Sequence, residues 1–162
     1  MSIYDKLWSI KESVKSDIVS LGDKLQLLTP VLFIIYQACY GSHHTAKVFV
    51  VAFALNMIIC SLLKAIFNNP RPRETEGDKN PDLDIDWSPN EGNSFPSGHT
   101  ASAMIGAFFW FEINTYAGIV SLALGVITAL SRIIAKAHWL RDVITSAIIA
   151  CIIYTVCRLY IL

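Results

Sequence analysis

Five stretches of this chain are apolar over helical lengths, with short polar breaks between most of them. They cover residues 25–40, 46–67, 97–113, 116–135 and 139–162. A helix that crosses a bilayer needs about 20 mainly apolar residues, within a range of about 17–25, and these stretches meet or approach that length. Ahead of them the pattern changes. Ile3, Leu7, Ile10, Val14 and Ile18 recur at spacings of three and four, while Asp5, Lys6, Lys11, Glu12, Lys15 and Asp17 fill the other faces. That periodicity predicts an amphipathic helix lying on the membrane, with Tyr4 and Trp8 at interfacial depth. The expected architecture is all-α: one integral membrane bundle over residues 1–162, with about five transmembrane helices and an N-terminal interfacial helix at 1–24. Ser102, Ala103, Gly106, Ala107, Gly125 and Ala129 would let those helices approach closely.

The breaks set the topology. Residues 41–46 and 112–115 are short connections, so the helices they join should run antiparallel. Residues 68–96 form the one long connection, and it carries seven acids against three bases. A long loop in a small fold is usually functional, and this one is expected to border the active site.

Composition sharpens the membrane reading. Apolar residues make up 54% and charged residues 16%, where soluble domains carry about 25% charged. Mean hydropathy is +0.48. Net charge is zero, so no nucleic-acid partner is expected. Cys39, Cys60, Cys151 and Cys157 all lie in apolar stretches without metal-type spacing and read as small hydrophobes. Residues 1–24 lack the apolar run of a cleavable leader, so insertion should rely on the chain's own helices.

Polar residues cluster at the helix ends in three places. Lys64 is followed by Arg71-Pro72, then comes Pro96-Ser97-Gly98-His99, and finally Ser131-Arg132 with His138 and Asp142. With five spans, all three fall on one membrane face. Lys64, Arg71 and Arg132 suit the charge on a phosphoryl group. Ser97 and Gly98 open a helix whose free N–H groups favour phosphate, and Gly98 permits close approach. His99 can lend a proton near neutral pH. His138 and Asp142 stand four apart, so on a helix they would share a face, and the carboxylate would fix the imidazole tautomer. Each group alone has an ordinary explanation: a snorkelling lysine with a headgroup-binding arginine, a helix cap, an interfacial ion pair.

Other signals carry less. Asp82, Asp84 and Asp86 alternate like the start of a calcium loop. The sixth position is Trp87 in place of Gly and the twelfth is Asn93 in place of Glu, so a solvated acidic loop or a lid over the headgroup fits better. His43 and His44 lack further ligands and read as a surface turn.

Together the three motifs resemble those of the type 2 phosphatidic acid phosphatase superfamily: Lys-x6-Arg-Pro, Pro-Ser-Gly-His and Ser-Arg-x5-His-x3-Asp, all matched here without substitution. The resemblance implies that His138 is a nucleophile forming a phosphohistidine, that Asp142 orients and activates it, and that His99 protonates the leaving oxygen. It implies that Lys64, Arg71, Ser97, Gly98 and Arg132 hold the phosphoryl oxygens, without a metal or cofactor. The expected substrate is a bacterial lipid phosphate or pyrophosphate whose tail stays among the membrane lipids, undecaprenyl pyrophosphate first. Lipid A 1-phosphate (by hydrolysis or phosphotransfer) and phosphatidylglycerol phosphate are alternatives. A non-catalytic lipid-binding protein is the competing class, and the intact set of reactive residues argues against it. The vanadium haloperoxidases of the same superfamily are soluble, so the spans count against that chemistry.

Sidedness divides the signals. Lys6, Lys11, Lys15, Lys24, Lys79, Lys136 and Arg141 fall on the motif face, and only Lys47 and Arg158 on the other. The positive-inside rule would place the motif face in the cytoplasm. Most bacterial members of the resembled family work at the outer face of the inner membrane. Active-site cations bias the count, so the expectation is an outward-facing site and a cytoplasmic C-terminus.

Overall fold

The computed structural model describes residues 3–75 and 93–160, with side chains from residue 13 onward. The acidic stretch with Asp82, Asp84, Asp86 and Trp87 therefore lies outside the described residues. The described elements are helices: α1 (Ile3–Cys39), α2 (His43–Ile66), the single turn α3 (Pro72–Thr75), α4 (Gly98–Trp110), α5 (Thr115–Ile134) and α6 (Leu140–Tyr160).

Four of them, α1 from residue 13, α2, α5 and α6, are long and apolar enough to cross a membrane. Their outer faces stay apolar and exposed, as at Val50, Ile58, Leu62, Val120 and Ile152. That is the expected surface of a chain whose solvent is lipid. This is a helical membrane protein.

Two elements differ from their sequence-based reading. Residues 3–24 are helical as expected, but they run without a break into 25–39, where the hydropathy pattern predicts two elements. Gly22 sits inside that helix for a packing reason. A Cβ there would fall 1.8 Å from Ser131 Oγ, so only glycine lets α1 lie this close to α5. The second difference is α4. It has 13 residues, ten of them buried, and at 1.5 Å per residue it is about 20 Å long. It is a central post enclosed by the other helices.

The post is small where α1 crosses it. A Cβ on Gly106 would meet Pro30 and Thr29 of α1 at 2.8 Å. Thr29 Oγ1 donates to Ala103 O at 3.3 Å, and Trp110 Nε1 donates to Thr29 O at 3.0 Å. Below this crossing Phe33, Phe49, Phe109 and Tyr154 meet in a chain of tilted and edge-to-face contacts, with ring centroids 4.7, 5.1 and 5.4 Å apart along it. Among lipids such van der Waals packing and interhelical hydrogen bonding, with no water to expel, hold helices together.

Alternation of helix direction places the end of α2, the start of α4, the end of α5 and the start of α6 at one end of the bundle. The opposite end is closed by side-chain caps. Ser42 Oγ accepts from His44 N and Thr45 N, and Asn114 Oδ1 accepts from Tyr116 N and Ala117 N.

Candidate active site

The site is assembled by backbone before any side chain acts. The segment entering α4 is stitched to the end of α2. Asn93 Nδ2 donates to Lys64 O, Asn93 Oδ1 accepts from Asn69 N at 3.3 Å and Phe95 N at 3.2 Å, and Ser94 N donates to Asn69 O at 2.8 Å. The α5–α6 turn is then fastened to both. Arg73 N donates to Lys136 O at 3.0 Å, Trp139 Nε1 donates to Pro70 O at 3.0 Å, and Ser97 N donates to Asp142 O at 3.5 Å. All three sequence motifs thus meet at one end of the bundle.

How α5 stops determines where His138 goes. Lys136 has φ 54°, a left-handed conformation that a non-glycine residue adopts at a cost. Lys136 N donates to Ile133 O at 2.9 Å and Ala137 N to Arg132 O at 3.1 Å, the paired bonds of a Schellman stop. The chain reverses and delivers His138 into the site, 2% exposed.

His138 Nδ1 lies 2.6 Å from Ser94 O. A carbonyl oxygen can only accept, so Nδ1 carries the hydrogen and Nε2 keeps its lone pair. Asp142 Oδ2 is farther from Nδ1, at 3.9 Å. The expectation that the two share a helical face, with the carboxylate setting the tautomer, is therefore corrected. The helix begins only at Leu140, so His138 lies outside it. Asp142, fully buried, turns Oδ2 back to Trp139 N at 2.9 Å and closes the first turn of α6, as the acid in a capping box does. Burial, and after it the positive charges of Lys64 and Arg71, hold His138 well below the ordinary imidazole value of 6.5. The Ser94 carbonyl pulls in the opposite direction, and His99 adds a smaller push downward. The net result is a neutral imidazole.

Lys64 and Arg71 are 4% and 2% exposed. Lys64 Nζ approaches Asn93 O at 3.5 Å. Ser97 is the N-cap of α4, with Oγ accepting from Thr100 N at 3.4 Å and Thr100 Oγ1 at 3.0 Å. Its own O–H remains available to donate. Around Gly98 a Cβ would meet nothing within 4 Å, so open space borders the first N–H groups of α4, where an anion is favoured.

Arg132 reaches the site but faces α1. Nε donates to Ser131 Oγ at 3.1 Å, Nη1 to Asp23 Oδ1 at 2.6 Å and Nη2 to Val19 O at 2.9 Å. His99 Nε2 lies 3.2 Å from the same Asp23 oxygen. Sequence reasoning missed Asp23, Ser94 and Asn93. The Gly22-Asp23 step between apolar turns was the available signal for the first. Ser94 acts through its carbonyl, which leaves no mark on residue type. Among the described residues no group of three or more His, Cys, Asp or Glu is arranged to hold a metal ion.

Residues 45–162 match the model of the PAP2 superfamily, a span that contains all three motifs. No curated protein sequence matches the chain. The crystal structure of Aquifex aeolicus LpxE superposes on 93% of this chain and 87% of that one, with TM-score 0.69 and 24% identity.

Proposed function

We propose that this chain, which belongs to the PAP2 superfamily, is a metal-independent phosphatase that hydrolyses a lipid phosphate or pyrophosphate through a phosphohistidine at His138. One observation carries the reading. The 2.6 Å approach of His138 Nδ1 to Ser94 O leaves Nε2 as a bare lone pair, in a neutral ring beside buried Lys64 and Arg71.

The chemistry runs in two halves. His138 Nε2 attacks phosphorus and the P–O bond to the leaving group breaks, with His99 giving its proton to the departing oxygen. Water then attacks phosphorus, the P–N bond breaks, and His99 takes a proton from that water. Lys64, Arg71, Ser97 and the first N–H groups of α4 stabilise the phosphoryl oxygens, which gather charge in the transition state. Asp142 balances the charge that forms on His138 and keeps α6 started at the right residue. Arg132 acts on the phosphoryl group from the α1 side.

Membrane-spanning helices under the site support a substrate held by its tail. Undecaprenyl pyrophosphate is the first candidate, with lipid A 1-phosphate and phosphatidylglycerol phosphate beside it, in a bacterial inner membrane with the site facing outward. The test is phosphate release by purified protein across those lipids and phosphatidic acid, with His138→Ala as control. Release from at least one lipid, absent in the variant, is expected. Equal silence of both proteins across the panel would favour a non-catalytic lipid-binding role. A compartment-sensitive reporter on the C-terminus tests sidedness, and the expected signal is cytoplasmic.

A further inference from the structure

Three features of α1, spaced within five residues, all address the end of α5. Val19 O takes Arg132 Nη2, Gly22 removes the side chain that would strike Ser131, and Asp23 Oδ1 takes Arg132 Nη1. Val19 and Asp23 stand four apart, so the guanidinium lies along one turn of α1. The helix is thus built to hold a carboxylate at this spot. It also lies outside the residues matched by the family, which begin at 45, and none of the three sequence motifs contains an acid for His99.

The same carboxylate oxygen reaches His99. Its 3.2 Å approach to Nε2 is a close polar contact and not an aligned hydrogen bond. Nε2 is fully enclosed, so a substrate oxygen cannot reach it. The ring atom left to face a leaving group is Nδ1. A cationic ring would keep its Nε2 proton toward Asp23 and give the Nδ1 proton away, and the neutral ring left behind keeps Nε2–H beside the carboxylate. The other charged or titratable groups around this pair are Arg132 from α5, His138 from the α5–α6 turn, and Lys64 and Arg71, whose charges bear on His138. Asp23 is the carboxylate in contact with His99 within this cationic group.

We infer that Asp23 is a positioning residue of this phosphatase: it orients His99 so that Nδ1 protonates the leaving oxygen, and it holds Arg132 in place from α1. The inference rests on the phosphohistidine reading above. It separates Asp23 from a plain counter-ion of Arg132, because loss of a proton donor is felt most by a poor leaving group.

The experiment compares dodecyl phosphate, whose alkoxide needs a proton to depart, with 4-nitrophenyl phosphate, whose phenolate does not. Asp23→Ala is expected to lower kcat about 100-fold on the first and about 5-fold or less on the second, within the range by which general acids act. His99→Ala should show the same bias. The bias between the two substrates in the double variant should lie within about twofold of that in His99→Ala alone, since a residue acting through another adds no bias once that other is gone and any loss through Arg132 falls on both substrates alike. Asp23→Asn keeps an acceptor for Arg132 and should show the same bias, which secures the test if Asp23→Ala does not fold. Equal losses on both substrates with additive effects would reduce Asp23 to a clamp on Arg132 and overturn the inference. A lower KM with unchanged kcat would overturn it too, by showing that the carboxylate only competes with phosphate. A wild-type protein inert on both substrates and on the lipid panel would instead remove the phosphatase reading beneath it.

Discussion

The two ends of the bundle treat charge in opposite ways. At the far end Glu112 accepts from Tyr154 Oη and pairs with Arg158 at 3.0 Å. That pair stays at the rim, with side chains 21% and 59% exposed. At the site end Arg132 and Asp142 are fully buried and Lys64, Arg71 and His138 nearly so. Rim pairs cost little and contribute little, about 0–1 kcal/mol. Buried charges carry a desolvation penalty of several kcal/mol each, and removing one partner typically costs about 3–5 kcal/mol. The far end shows that this chain can close its helices with caps and one exposed pair. Among the described residues, charge is buried only where all three motifs converge, which is the pattern of a site shaped for an anion.

The contrast can be broken by substitution at either end. The largest effect is expected from His138→Ala, which should lower phosphate release by three orders of magnitude or more, as loss of a nucleophile does, with an unchanged elution profile in detergent. Asp142→Asn should come next. It keeps an acceptor for Trp139 N but removes the charge opposite His138, so kcat should fall about 10–100-fold while thermal unfolding shifts by only about 1 kcal/mol. A result with the two magnitudes reversed would make Asp142 a cap and nothing more.

Acidity separates the ends again. His138 attacks as the neutral ring and its value lies well below 6.5, so protonation of the nucleophile begins only well under that pH. The acid limb of kcat/KM should therefore fall at a lower pH than an ordinary imidazole would set. An acid limb at or above 6.5 would contradict the burial argument. Among the smaller effects, Lys136→Gly should relieve the left-handed strain and stabilise the protein by about 0.5 kcal/mol without loss of activity. Smallest of all, Glu112→Gln at the rim should leave kcat/KM unchanged and alter stability by less than about 1 kcal/mol.

What the sequence revealed follows the same division. The motif residues were legible because phosphate chemistry constrains residue type and spacing together. Their common face was legible because each motif sits at the end of an apolar run. The membrane character followed from hydropathy alone. Three things were not legible. The hydrogen-bond partner of His138 is a backbone carbonyl, and every residue carries one. The stop of α5 uses Lys136 where glycine is the usual signal; hydropathy places the break between 135 and 139, but not the left-handed reversal that turns His138 into the site. Asp23 reads as one more charge on an amphipathic helix, and its partners are 76 and 109 residues away. Only packing, through Gly22 against Ser131, brings it to the site.

The central claim is that phosphate passes through His138, and the direct measurement is to trap it there. Protein turning over a radiolabelled lipid phosphate would be quenched in alkali and digested, and the peptides tested for phosphate that survives base and is lost in acid. The expected result is label on the peptide carrying His138, absent from His138→Ala and retained in Glu112→Gln. Active protein whose label appears on no histidine, or on His99 instead, would contradict the account.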